Sequence, residues 1–180
     1  FWEKFCDGVR GTIFNDVLRD LNAATDNALI EKLVGVYRSH TPKITLYPEA
    51  KDILEFFYRR KKTGLLSDGP VLMQDNKVTA LGIRHYFQAV LFTDTLGRQC
   101  WKPHTAGYLK IADALGVPGS ECLYVGDNPQ KDFVGARTLG WKTVRVQRPD
   151  GIYAGIIVEN AAHEADVCVD SLYRLGTLLA

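Results

Sequence analysis

The sequence lacks the features that identify membrane, secreted and nucleic-acid-binding proteins. No apolar run approaches the ~20 residues that a membrane-spanning helix requires. The first five residues, Phe1 to Phe5, lack the basic-then-apolar order of a signal peptide. The formal net charge of the 180 residues is only +1, so no excess of positive charge favours nucleic acid or an anionic membrane as a partner.

Cysteine is scarce, and an initiator methionine is absent. The four cysteines include no Cys-x-x-Cys pair, which argues against a zinc site or a redox motif; they are Cys6, Cys100, Cys122 and Cys168. We therefore expect reduced thiols in a cytoplasmic protein. The absence of the initiator methionine favours a chain that begins inside a longer protein.

What the sequence does contain is typical of one globular domain with a small appendage, since 46% of the residues are hydrophobic and 24% are charged. Residues 1–45 have helical spacing, with Ile30, Leu33, Val34 and Tyr37 on one face. Beyond a helix over 48–60, apolar strands alternate with helices. We predict strands at 63–67, 89–92, 122–125, 142–146 and 166–169, and helices at 70–81, 104–115, 129–139 and 171–179. This alternation predicts an α/β fold with a parallel sheet covered on both faces.

Polar groups occupy three strand ends or helix starts, and the first group is Ser67-Asp68-Gly69. Ser67 ends a strand and a helix follows, so backbone N–H groups and the serine hydroxyl are suited to hold an anion. The alternative interpretation is that Ser67 and Asp68 only cap the helix.

The second group is Lys102-Pro103, which precedes the next predicted helix. Pro103 restrains the backbone of Lys102 to an extended conformation and thereby limits the direction of its side chain. A lysine here could neutralise a phosphate, although most lysines are solvated surface groups.

The third group is Gly126-Asp127, followed by Asp132. A carboxylate at the tip of a parallel strand lies where open α/β sheets bind ligands, and two carboxylates there suit Mg²⁺. The alternative is that Asp127 caps the next helix while Asp132 complements its dipole.

The order of these three groups resembles that of the haloacid dehalogenase superfamily of hydrolases, most of which are phosphatases. The resemblance covers residues 48–175, with the three groups matching the second, third and fourth motifs of the family. It implies a parallel Rossmann-like core over 46–180 and a partial helical cap over 1–45.

The resemblance also implies roles for these residues and a small phosphorylated metabolite as the substrate. Ser67 would hydrogen-bond the transferred phosphoryl group within a loop completed by Asp68 and Gly69. Lys102 would neutralise that group, and Asp127, supported by Asp132, would bind Mg²⁺. Family members attack phosphorus with an aspartate and form an aspartyl-phosphate.

One family motif is missing. No Asp-x-Asp, the motif that supplies the nucleophile, occurs in residues 1–46. We interpret Ile13–Asp16 as part of a cap helix. We therefore expect a chain that is incomplete at its N-terminus and inactive. The missing part would include the central strand of the family, which lies between the strand ending at Ser67 and the strand ending at Asp127. The alternatives are a catalytically inactive binding module and a carbon–halogen hydrolase.

Overall fold

The computed structural model describes residues 1–9, 11–158 and 160–178. The chain divides into two compact units, Phe1–Pro42 and Lys43–Ala180. The first unit contains three helices, none of which has a buried residue: α1 (Trp2–Cys6), α2 (Ile13–Asp20) and α3 (Asn27–Ser39). Asp26 caps α3 by accepting a hydrogen bond from the Leu29 backbone N–H at 2.7 Å.

The second unit alternates strands and helices. Its strands are β1 (Gly64–Ser67), β2 (Ala89–Phe92), β3 (Leu123–Gly126), β4 (Lys142–Val146) and β5 (Val167–Val169). Its helices are α4 (Pro48–Tyr58), α5 (Val71–Leu81), α6 (Ala106–Leu115), α7 (Val134–Thr138) and α8 (Tyr173–Leu178). None of the helices in the described part of the chain has both the length and the apolar character needed to cross a bilayer.

The strands form two parallel sheets. One contains β1 and β2, with Ser67 opposite Phe92. The other has the order β3-β4-β5, with Gly126 opposite Arg145. Within the described residues, no ladder pairing joins β1 to β3, so each of these strands has one edge without a strand neighbour.

Helices cover both faces of the two sheets. On one face, Tyr108 and Ile111 of α6 pack with Leu66 of β1 and Tyr124 of β3. On the other face, α4 contributes to two clusters of buried side chains. It packs with α5 around Val78 and Phe92, and with α8 around Val144 and Leu175. The predicted α/β class, with parallel pairing and helices on both faces, is confirmed.

The structure differs from the prediction most clearly after β3. A helix was expected over 129–139, but α7 begins only at Val134. The Asp132 carboxylate accepts the Asn128 backbone N–H at 2.9 Å, and this bond holds residues 128–132 in a turn. Ile13–Asp16 is helical, as expected. All four cysteines are free thiols.

Candidate active site

The ends of β1, β2 and β3 bring the predicted polar groups together at one rim of the second unit. The segment after β1 carries Ser67, Asp68 and Gly69, and the segment after β3 carries Asp127 and Asp132. Lys102 contacts both segments: its backbone N–H donates to Asp68 at 3.1 Å and its ammonium to Asp132 at 2.7 Å. Lys102 therefore links the segment that contains Ser67 to the segment that contains Asp127.

The side chains of the segment after β1 do not cap α5. The N-cap of α5 is Pro70, and no side chain there accepts a capping hydrogen bond. Instead, the Ser67 hydroxyl donates to Oε1 of Gln74 at 3.2 Å. Gly69 has a φ of +122°, and a Cβ at this position would lie 2.5 Å from Nε2 of Gln74. The positive φ favours glycine at this position, whereas the Gln74 side chain could move to make room for a Cβ.

Asp68 is buried, with 3% of its side chain exposed. One carboxylate oxygen accepts from the Thr93 hydroxyl at 2.8 Å and from the Lys102 backbone N–H at 3.1 Å. The other oxygen accepts from the Lys131 ammonium at 2.8 Å. Burial alone would raise the pKa of Asp68, but the hydrogen bond from Lys131, the charge of Lys102 and the remaining hydrogen bonds hold it below its ordinary value.

Lys102 is held in place by an almost fully buried ion pair with Asp132, since only 8% of its own side chain and 4% of that of Asp132 are exposed. The Lys102 ammonium also donates to the Tyr124 hydroxyl at 2.9 Å. Burial acts to lower the pKa of Lys102, but the charge and hydrogen bond of Asp132 outweigh it and raise the pKa above its ordinary value. Lys102 is therefore a fixed positive charge rather than a solvated surface group.

Asp132 organises the segment that follows β3. Its second carboxylate oxygen accepts the backbone N–H groups of Asp127 and Asn128 at 3.3 and 2.9 Å. A Cβ on Gly126 would lie 2.7 Å from this oxygen, so the turn requires glycine there. The N-cap of α7 is Phe133, without a side-chain capping bond, and the proposed capping role of Asp127 is not observed.

Asp127 is the exposed carboxylate of the site. Desolvation by the surrounding protein and then the negative charge of Asp132 raise the pKa of Asp127, while Lys102 and Lys131 oppose the shift. Among the described residues, no group of three or more His, Cys, Asp or Glu side chains forms a complete metal site. Mg²⁺ commonly uses one or two carboxylates and takes its other ligands from water and phosphate. Of the two carboxylates, Asp132 is engaged by Lys102 and by backbone N–H groups, which leaves Asp127 as the one suited to contact a cation.

Four contributors to the site were missed by sequence reasoning: Thr93, Gln74, Tyr124 and Lys131. Thr93 could have been found, because it is a polar residue directly after β2, at the rim where β1 and β3 also end. Tyr124 and Gln74 carry no such signal, since one occupies a strand and the other a helix interior. Lys131 lies within the segment that was selected for its carboxylates.

Comparisons with known proteins identify the family of the chain. The profile of the haloacid dehalogenase-like hydrolase family matches residues 1–140. The chain is 30% identical over 139 residues to a glyceraldehyde 3-phosphate phosphatase of Methanopyrus kandleri, covering 75% of the chain and 58% of that protein. It is 33% identical over 140 residues to a phosphoserine phosphatase of Thermus thermophilus, covering 77% of the chain and 55% of that protein. The chain thus spans little more than half the length of these relatives.

A solved structure extends the comparison to another reaction. The L-2-haloacid dehalogenase from Xanthobacter autotrophicus, with chloropropionic acid covalently bound, matches with a TM-score of 0.66 and 27% identity. The match covers 89% of this chain and 70% of the dehalogenase. Both phosphatases and a dehalogenase are therefore similar to the chain.

Proposed function

The chain belongs to the haloacid dehalogenase-like hydrolases, and we propose that its rim site binds the phosphoryl group of a small phosphorylated metabolite together with Mg²⁺. The observation that carries this proposal is the convergence of three kinds of group. The segment after β1 carries the Ser67 hydroxyl and Gly69, Lys102 offers a buried positive charge, and Asp127 is an exposed acidic residue.

Each group has a part in binding. The backbone N–H groups of Asp68 and Gly69 donate to phosphoryl oxygens, and the Ser67 hydroxyl does so once it rotates away from Gln74. Lys102 supplies fixed positive charge without reorganisation, because Asp132 already holds its ammonium. Asp127 would hold the Mg²⁺, which supplies further neutralisation of phosphoryl charge when it is bound. Asp132 would support the site by holding Lys102 and the turn that carries Asp127.

The reaction also needs an attacking carboxylate, and the proposal is that this group is delivered on an additional strand. In the part of the chain that the structure describes, β1 and β3 each have one edge without a strand neighbour. The Asp68–Lys131 ion pair joins the segment after β1 to the segment after β3. A parallel strand that fills the space between these edges would end at the same rim. We propose that the chain without this strand binds phosphate but does not hydrolyse a phosphate ester, and that residues 1–42 are a helical cap.

Calorimetric titration of the chain with inorganic phosphate, with and without Mg²⁺, tests the binding proposal. We expect Mg²⁺ to strengthen phosphate binding, and we expect Asp127→Asn to remove this dependence because it removes the charge that attracts the cation. Asp113→Asn, on the exposed side of α6, is the matched control and should behave as the original chain. Absence of phosphate binding at millimolar concentration with Mg²⁺ present would refute the proposal.

A carbon–halogen hydrolase is the second candidate, and it is favoured by the similarity to a dehalogenase. The like-charged pair Asp127 and Asp132 favours the phosphatase, because carbon–halogen hydrolysis on this scaffold does not need a metal. The same titration with 2-chloropropionate separates the two. Tight 2-chloropropionate binding that is independent of Mg²⁺, together with weak phosphate binding, would favour the dehalogenase.

A further inference from the structure

The Asp68 carboxylate is arranged differently from a group that contacts a substrate. Its side chain is 3% exposed, and both of its oxygens already accept hydrogen bonds. A carboxylate also repels a phosphate. What remains available to a ligand at this residue is the backbone, so the side chain must act on other protein groups.

The most consequential of these groups is the Lys102 backbone N–H. It donates to Asp68 at 3.1 Å, directly before Pro103, which has no N–H to donate. The buried Thr93 hydroxyl holds the same carboxylate oxygen from the end of β2 at 2.8 Å. The backbone of Lys102 is thereby fixed relative to the ends of both β1 and β2.

The second carboxylate oxygen connects to the other sheet. Lys131 belongs to the segment after β3, and its ammonium lies 2.8 Å from Asp68. No ladder pairing joins β1 to β3 in the described residues, so this ion pair links the anion-binding segment to the carboxylate segment across the sheet boundary.

We propose that Asp68 is a positioning residue, whose carboxylate holds the backbone of Lys102 so that the lysine ammonium faces the phosphoryl site. That the ligand is a phosphoryl group rests on the proposed function. In this arrangement the acceptor oxygen for the Lys102 N–H is the essential feature, and the charge of Asp68 serves to balance Lys131.

Two double variants separate the acceptor from the charge. Asp68→Asn with Lys131→Met removes both charges and keeps an oxygen that can accept from Lys102 and Thr93. Asp68→Leu with Lys131→Met also removes both charges, keeps the branching and the number of side-chain heavy atoms, and removes the acceptor. Asp75→Asn, which breaks the exposed ion pair with Arg84, is the control.

Inorganic phosphate in the presence of Mg²⁺ is the probe, and its dissociation constant is measured by calorimetry. We expect the asparagine double variant to stay within about threefold of the original chain, and the leucine double variant to bind about five- to tenfold more weakly, as for one lost buried hydrogen bond. Equal affinities for the two double variants would overturn the inference, whether both are strong or both are weak.

A second readout does not depend on phosphate. In ¹H–¹⁵N spectra, the Lys102 backbone amide proton should move upfield in the leucine double variant and remain near its original position in the asparagine one. An unmoved Lys102 signal in both would overturn the positioning role even if phosphate binds. Failure of the original chain to bind phosphate, with the expected Lys102 shift present, would instead refute only the proposed function. If circular dichroism shows that the leucine variant is unfolded, Asp68→Ala with Lys131→Met replaces it.

Discussion

At the scale of single residues, the site depends on charges that are buried and paired. Replacing Lys102 by methionine leaves the Asp132 carboxylate in an environment where only 4% of its side chain is exposed. We expect Lys102→Met to lower the free energy of unfolding by about 3–5 kcal/mol, the usual cost of removing one partner of a buried ion pair. Urea-induced unfolding followed by circular dichroism measures this loss.

The matched control is Lys51→Met, because Lys51 pairs with Glu55 on α4 while most of both side chains is exposed. We expect this substitution to lower the free energy of unfolding by less than about 1 kcal/mol.

The stabilisation by the Lys102 charge depends on pH. Because the pKa of Lys102 is raised in the folded protein, this stabilisation is fully present below the ordinary pKa of 10.5 and is lost only as the pH rises above that value. Equal destabilisation by Lys102→Met and Lys51→Met at pH 7 would contradict the expectation that burial makes the loss of an ion-pair partner costly.

The residues that sequence reasoning found share one property: each stands at the end of a predicted strand or beside a conformationally restricted residue. Ser67, Lys102 and Asp127 are of this kind. The contacts of Gln74 and Lys131 depend on how separate segments meet in space, and neither residue stands at a strand end. Their participation could not be predicted without the structure.

At the scale of secondary-structure elements, α7 packs very closely against a neighbouring segment. A Cβ on Gly135 would lie 2.3 Å from the Pro103 carbonyl oxygen and 2.8 Å from the Tyr108 ring. We expect Gly135→Ala to destabilise the fold by about 1–3 kcal/mol or more, although alanine favours helices, because backbone atoms would have to move. Thermal unfolding measures the change.

Gly176→Ala is the matched control in α8, because a Cβ at that position meets nothing within 4 Å. Here we expect a gain of about 0.5–1 kcal/mol from helix propensity alone. Similar stabilisation by both substitutions would show that α7 does not pack as closely as described.

The predicted boundaries of β2 and β4 agree with the structure, whereas the predicted helix over 129–139 is wrong in its first part. Local apolar runs determine short buried strands well. The start of α7 is determined instead by the Asp132 side chain, which bonds to the backbone of Asn128. When an aspartate lies in a sequence with helical spacing, the sequence does not indicate whether its side chain will bond to the preceding backbone and delay the helix.

At the scale of the whole molecule, the edges of β1 and β3 that lack a strand neighbour in the described residues invite a complementation experiment, in which a peptide supplies an additional strand. We expect the chain alone to show no Mg²⁺-dependent hydrolysis of p-nitrophenyl phosphate. A synthetic apolar strand of about five residues ending in Asp-x-Asp should raise the melting temperature and give turnover, because it would pair with both edges and deliver a carboxylate to the rim.

Two control peptides separate pairing from chemistry. The same strand ending in Asn-x-Asn should raise the melting temperature without turnover, and a version with a central proline should do neither. Turnover by the chain alone would contradict its proposed inactivity. A melting temperature that no peptide changes would contradict the proposed strand position.

Helix α4 has a consequence for how the second unit comes apart. Leu54 and Tyr58 belong to the cluster over the sheet of β1 and β2, while Ile53 and Phe57 belong to the cluster over β3 and β4. If α4 detaches from one sheet, it also exposes apolar side chains that pack against the other sheet. Despite the break in backbone pairing, the two sheets should therefore melt as a single cooperative unit, with coincident transitions for probes placed in each.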